Sequence, residues 1–332
     1  MKGAAVVFER PGEVVFREVP IPEPAPGDVV VRTRYSLISN GTESSFLRGE
    51  RVSGDTPARP GDTLPFPRVT GYQKVGIVEK AAETDDRVKV GQWVFVAASK
   101  VALPSVSHGG HVGVAVADVN TVYPLPAGLD PVEASGLVLT QVGYNCGNRP
   151  SLRPGDGAVV VGDGLVGHWA AQTLQHRGAR VAFVGRHRHR YTKFSAGPGD
   201  VTIDVNGSGQ LPEELRKMLP DGISVFVDTV GDNEMIERCF SLFRRDSHLV
   251  SAGFLGTRGQ IDIQMLRNRE TTLHCPSGWV PNRLEATLAL LSGGALRVAP
   301  LITHRMPAAE AAAAFRMILE KKEAFLGVLL EW

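Results

Sequence analysis

Short apolar runs broken by Gly and Pro dominate the chain up to about residue 123, for example at 28–33, 75–79 and 93–97. Runs of this length between turn residues predict β-strands, so this half reads as β-rich. From about residue 131 the texture changes. Residues 131–148 have a helical pattern and lead through Arg153-Pro154-Gly155-Asp156 into the apolar run Ala158-Val159-Val160-Val161. The segments 158–161, 180–184, 224–228 and 248–252 are almost continuously apolar and alternate with helix-like stretches, the pattern of parallel strands covered on both faces. The expected fold is α/β, with a β-rich domain over 1–123 and 298–332 and a doubly wound parallel-sheet domain over 124–297. Residues 308–320 predict a helix and 327–330 a strand. The central sheet needs neither, so both are expected to return to the first domain.

At 332 residues the chain exceeds the usual size of one domain, in keeping with two cores. A formal charge of +1, from 36 basic and 35 acidic residues, argues against nucleic acid or an anionic membrane as the main partner. Cys146, Cys239 and Cys275 are three in number and show no paired spacing, which fits a reducing compartment better than a disulfide framework. The first residues read as a strand and turn rather than a signal peptide, and no run is long enough to span a bilayer. A cytoplasmic location is expected.

Gly162-Asp163-Gly164-Leu165-Val166-Gly167 stands between the run 158–161 and a helical pattern carried by Val166, Ala170 and Leu174. Three glycines in that context make a tight turn, let backbone approach a pyrophosphate and pack a helix closely on a strand, and the helix N-terminus faces the phosphates. This is the strongest signal in the chain and predicts a dinucleotide site. An acidic residue some twenty positions on would accept bonds from a ribose 2′-hydroxyl. Gly185 stands there, followed by Arg186-His187-Arg188-His189-Arg190. A missing carboxylate and guanidinium donors in its place favour NADP(H) over NAD(H), with Gly185, Arg186 and Arg188 as readers. Thr229, Gly253 and Phe254, at the ends of later strands, are candidates to line the nicotinamide.

The chain resembles the medium-chain dehydrogenase/reductase family along nearly its whole length. The resemblance rests on Pro24-Ala25-Pro26-Gly27-Asp28, Ser39-Asn40-Gly41-Thr42-Glu43, Gly71-Tyr72-Gln73-Lys74-Val75-Gly76, Val90-Gly91-Gln92-Trp93-Val94 and Tyr123-Pro124-Leu125-Pro126, in that order, together with the glycine turn. Asn40 to Glu43 and His108-Gly109-Gly110 look like a bacterial branch that includes the bacteriochlorophyllide-type dehydrogenases. The resemblance implies a GroES-like catalytic domain joined to a Rossmann domain, hydride transfer to or from a small molecule, and a homodimer paired through the edge region 273–280.

Zinc-dependent members carry a cysteine where Asn40 stands and a His-Glu pair where Tyr72-Gln73 stands. With no cysteine before Cys146, the structural zinc lobe is missing too, so no metal site is expected. Tyr72 would then donate to a substrate carbonyl, with Thr42, Asn40 and Gln73 as further donors and Lys74 lowering the tyrosine's pKa from the same strand face. His108 and His111, beside a double glycine, suit a surface or core role better than a catalytic one, and Glu43 matches a carboxylate that supports the site. The reading is an NADPH-dependent, zinc-independent reductase of a carbonyl or activated C=C bond. Alcohol oxidation is the alternative chemistry, and an NADPH-binding regulator or inactive family member the alternative class.

Overall fold

The computed structural model describes residues 1–103, 105–106, 108–206, 210–257 and 259–332. By its contacts the chain divides into two units, Met1–Val138 with Leu284–Trp332, and Leu139–Arg283. Texture had suggested boundaries near 123 and 298. The contact boundaries fall instead inside the helices Leu137–Asn148 and Pro281–Ser292, where composition does not change.

In the second unit six strands run in the order Val201–Asp204, Arg180–Gly185, Gly157–Val161, Ile223–Asp228, Phe243–Ser251 and Thr272–His274. All neighbours are parallel. The order reverses between Gly157–Val161 and Ile223–Asp228, the switch point at which such sheets bind ligands beyond their C-terminal edge. Alternation explains the unbroken apolar runs. Ala158, Val160, Phe183 and Val227 pack with Ala170 and Leu174 of the helix Leu165–His176, while Val159, Val161, Val184 and Phe226 pack with Leu211 and Leu215 of the helix Leu211–Met218 on the opposite face.

His168, on the inward face of Leu165–His176, is 1% exposed, with its ring centroid 4.7 Å from that of Phe183 and Nε2 3.2 Å from the Arg190 carbonyl. Burial pushes its pKa down to about 4. The fold therefore prefers the neutral ring, and the unfolded chain binds the extra proton between about pH 6.5 and 4. That contribution is complete above pH 6.5 and is lost as pH falls toward 4. Between pH 7.5 and 5 the loss is about 2 kcal/mol. Urea titrations at the two pH values should show this fall in the wild type and a smaller one in His168→Gln, which keeps a donor for the carbonyl but does not titrate. Equal falls would refute the assignment.

The first unit holds a seven-stranded sheet in which Val122–Pro124, Trp93–Val96, Lys74–Lys80, Asp28–Leu37, Gly327–Glu331 and Ile302–Pro307 are successive neighbours, with Val114–Asp118 also paired to Asp28–Leu37. A four-stranded sheet joins Glu13–Pro20, Lys2–Arg10, Arg68–Val69 and Ser105–Val106. Gly327–Glu331 pairs antiparallel with Asp28–Leu37, so the C-terminal strand does return to the N-terminal half of the chain. The predicted helix at 308–320 begins as a 3-10 turn, Ala308–Glu310, and continues as Ala311–Glu320. Its Phe315 meets Phe8 edge-on at 5.0 Å. No helix among the described residues is long and apolar enough to cross a membrane.

Candidate functional site

At the switch point Gly162 ends its strand with φ +114°, a conformation that L side chains rarely adopt, and an added Cβ would overlap the Thr229 hydroxyl. A Cβ on Gly167 would overlap the Gly162 carbonyl oxygen, so this glycine sets the approach of helix to turn. Gly164 is the N-cap of Leu165–His176 with nothing within 4 Å of a built Cβ, which leaves the helix N-terminus open beside it. Leu165 is buried and Val166 half-buried in the first turn. Thr229 donates from both its backbone N–H and its hydroxyl to the Val161 carbonyl, at 3.0 and 2.9 Å. Buried Asp228 accepts backbone N–H groups from Val230, Gly231 and Asp232 and so shapes the neighbouring loop. Gly253 packs against the backbone of Val230 and Gly231, and Phe254 follows, half-buried.

Gly185 ends Arg180–Gly185, and its place is crowded because a Cβ there would lie 2.8 Å from Asp163. Asp163 Oδ2 accepts the backbone N–H groups of Arg186 and His187, at 2.8 and 2.7 Å. Burial alone would raise the Asp163 carboxyl, but the His187 ring and these amides outweigh it and hold it below the ordinary range. A carboxylate thus stands at the end of the second strand after all, supplied through space by the glycine turn and not by the residues that follow the strand. Arg186 and Arg188 are exposed, and their guanidinium groups make no hydrogen bond or ion pair to a described residue.

In the first unit the segment 68–72 lies along the helix Asn40–Leu47. The Arg68 guanidinium carbon is 3.9 Å from the centre of the Phe46 ring, the Thr70 hydroxyl donates to Glu43 Oε2 at 2.9 Å, and the Tyr72 hydroxyl hydrogen-bonds with Ser39 and Thr42. Ser39 is the N-cap of this helix, yet its hydroxyl makes no cap bond. Glu43 Oε1 takes up the Ser39 backbone N–H at 2.8 Å from inside the helix, leaving the hydroxyl free for Tyr72. Burial pushes the Tyr72 hydroxyl up to about 12, the nearby Glu43 charge adds to this, and the Ser39 and Thr42 bonds oppose it.

The loop around 108–111 runs beside Gly71. Gly110 donates to the Gly71 carbonyl and His111 to that of Thr70, an approach so close that a Cβ on Gly110 would overlap the Gly71–Tyr72 backbone. His111 is fully buried, with Nε2 2.9 Å from Glu43 Oε2 and Nδ1 2.8 Å from Ser36 Oγ, which also accepts from Trp332 Nε1 at 2.8 Å.

Of the other expected donors, Asn40 opens the helix and gives Nδ2 to the Leu326 carbonyl at 2.6 Å, while its buried Oδ1 has no partner among the described residues. Gln73 is fully buried and donates to the Leu37 carbonyl at 3.1 Å. The role expected of Lys74 is corrected. Tyr72 lies in a bend before Lys74–Lys80, so the two side chains do not share a strand face. The Lys74 ammonium is buried on the Gly109 carbonyl at 2.9 Å, burial pushes its own pKa down to about 7, and the Tyr72 hydroxyl is raised rather than lowered. Among the described residues no three His, Cys, Asp or Glu side chains are grouped to hold a metal ion. An amide, a phenol hydrogen-bonded to two hydroxyls and a buried amide are a poor donor set for zinc, which takes thiolate, imidazole or carboxylate.

A protein-family profile described as "Zinc-binding dehydrogenase" matches residues 166–292. The 2-desacetyl-2-hydroxyethyl bacteriochlorophyllide A dehydrogenase of Cereibacter sphaeroides is 28% identical over 335 residues, covering 100% of this chain and 99% of the relative. Among solved structures, an Escherichia coli oxidoreductase/dehydrogenase of unknown specificity superposes with a TM-score of 0.86 at 18% identity, covering 100% and 99% of the two chains. An alcohol dehydrogenase from Escherichia coli CFT073, complexed with NADH, gives 0.84 at 20% identity and the same coverage.

Proposed function

We propose that the chain is a member of the medium-chain dehydrogenase/reductase family of NAD(P)-dependent oxidoreductases and acts as an NADPH-dependent, zinc-independent reductase of a carbonyl or an activated C=C bond in a small organic substrate. The observation that carries this is Tyr72, which stands where zinc-dependent relatives place a ligand and keeps its proton through the physiological range. The chemistry a reduced nicotinamide would supply here, when bound, is hydride for the substrate carbon. Tyr72 then donates to the oxygen on which negative charge develops, and because an alkoxide is a stronger base than a phenolate, the proton passes downhill. Thr42 and Ser39 hold the phenol in place, while Asn40 and Gln73 brace the surrounding backbone through the Leu326 and Leu37 carbonyls. On the nucleotide side, Gly162, Gly164, Leu165, Val166 and Gly167 would cradle the pyrophosphate, Arg186 and Arg188 beyond Gly185 would receive the 2′-phosphate, and Thr229, Gly253 and Phe254 would border the nicotinamide.

We also place the protein in the cytoplasm as a homodimer. The edge strand Thr272–His274, with Leu273 and Val280 exposed, is the candidate contact. A panel of enones and matched ketones, with NADPH oxidation followed by absorbance, tests the reaction. Turnover of one class with NADPH after dialysis against a chelator is the expected result. Tight NADPH binding without turnover anywhere in a broad panel would favour a regulator, and loss of activity on chelation would overturn zinc independence.

A further inference from the structure

Arg68 opens the segment that leads to Tyr72, in the short strand Arg68–Val69, and is 6% exposed. Burial draws its pKa down to about 10, so the guanidinium is still charged at pH 7. It lies over the Phe46 ring, but Nε and Nη1, both covered, have no hydrogen-bond partner among the described residues. Glu43 attracts the charge from nearby, yet the bonds to its oxygens come from the Ser39 backbone N–H, the Thr70 hydroxyl and His111. Arg51, the other buried arginine of this region, differs in being paired with Asp55 at 2.7 Å. A buried guanidinium without hydrogen bonds costs stability, and an apolar side chain would pack there without that cost. The surroundings add further positive charge. The Lys74 ammonium is fully buried, and the Gly109 carbonyl that it bonds is neutral. His108, next to Gly109, keeps an exposed face, and partial burial, Lys74 and Arg68 together lower its pKa. Gly110 packs this loop against the Gly71–Tyr72 backbone, so the three basic groups gather around the segment that carries the phenol.

We propose that Arg68 binds a carboxylate carried by the substrate, with His108 as a second donor and Lys74 as a supporting charge, so that the compound presented to Tyr72 is a carbonyl compound or enone bearing a carboxylate. This deepens the reductase reading above and rests on it. The planar fork of a guanidinium matches two carboxylate oxygens, and pairing turns unsatisfied donors into charge-assisted bonds, whereas a neutral ester brings no charge. Long and flexible, the Arg68 side chain needs only to swing off the Phe46 ring to present its covered nitrogens to a ligand.

Two matched pairs serve as probes: 4-formylbenzoate with methyl 4-formylbenzoate, and trans-4-oxo-2-pentenoate with its methyl ester. Their affinities for the NADP⁺-loaded protein, which cannot reduce them, are measured by calorimetry, and turnover is followed separately by NADPH oxidation. The wild type should bind each acid about 10- to 100-fold tighter than its ester. Arg68→Met, which keeps an apolar contact with Phe46, should bring that ratio close to one and leave the melting temperature unchanged or higher, because a buried unpaired charge is removed. His108→Ala, at an exposed position, should lower the ratio by about threefold. A ratio near one in the wild type, or a ratio that both substitutions leave unchanged, overturns this inference whether or not the probes react. A loss of NADP⁺ affinity in Arg68→Met as large as the loss for the acids would assign the guanidinium to the cofactor and also overturn it. Acids bound in preference to esters, with no probe reduced, would support the carboxylate site and count against the reductase reading instead.

Discussion

Tyr72→Phe is expected to lower kcat for the confirmed substrate by about 10²- to 10³-fold, with NADPH affinity unchanged. The substitution removes one oxygen from a half-buried ring and leaves the Gly71 turn, the Glu43 cap and the His111 contacts in place. Ser39 and Thr42 lose a partner but keep their backbone positions, so the damage falls on the reacting oxygen rather than on the fold. Thr42→Ala should act in the same direction with a smaller loss, since Ser39 still holds the phenol. The pH profile adds a sign. The acid form of Tyr72 is the active form in reduction, and burial pushes its pKa up to about 12, so no decline attributable to it should appear near pH 10, where an ordinary tyrosine would ionise. Unaltered turnover in both variants, or a wild-type decline near pH 10 that Tyr72→Phe abolishes, would remove Tyr72 from the proposed role.

Arg186→Asp is expected to reduce kcat/KM with NADPH by about 10²- to 10³-fold and to change that with NADH by no more than severalfold. Two effects add. A guanidinium available to a phosphate disappears, and a second carboxylate arrives beside Asp163, whose own charge is already balanced by His187 and two backbone amides. The measurement is the ratio of the two cofactor efficiencies, because a general loss of folded protein lowers both and leaves the ratio alone. Equal efficiencies with both cofactors before and after would sink the NADP(H) reading.

What was legible in the sequence follows from what each signal depends on. Strands buried on both faces must be apolar throughout, so all four central segments stood out, and the glycines of the 162–167 turn are fixed by contacts within a few residues. The strand 327–330 and the helix near 311 were recognisable as elements, and only their leftover status hinted at which sheet they join. The polar site was less readable because its logic is non-local. Ser39 looks like an ordinary helix cap, and only Glu43 reaching back from inside the helix reveals that its hydroxyl serves Tyr72. Sequence alternation misleads at Lys74 because a bend at Tyr72 breaks the pattern that would put the two side chains on one face. Asp163 is not legible as the acid of the second strand because the glycine turn, some twenty residues earlier in sequence, carries it there through space.

The bond from Trp332 to Ser36, and through His111 to Glu43, brings a residue 296 positions along the chain from Ser36 into the network around Glu43 and Tyr72. Synthesis runs from the N-terminus, and domains commonly fold in that order as they emerge. Here the Asp28–Leu37 strand lacks its Gly327–Glu331 neighbour, and the Ser36 hydroxyl its indole donor, until residues 327–332 have been made. The seven-stranded sheet of the first unit therefore cannot close until the whole of the second unit has been synthesised.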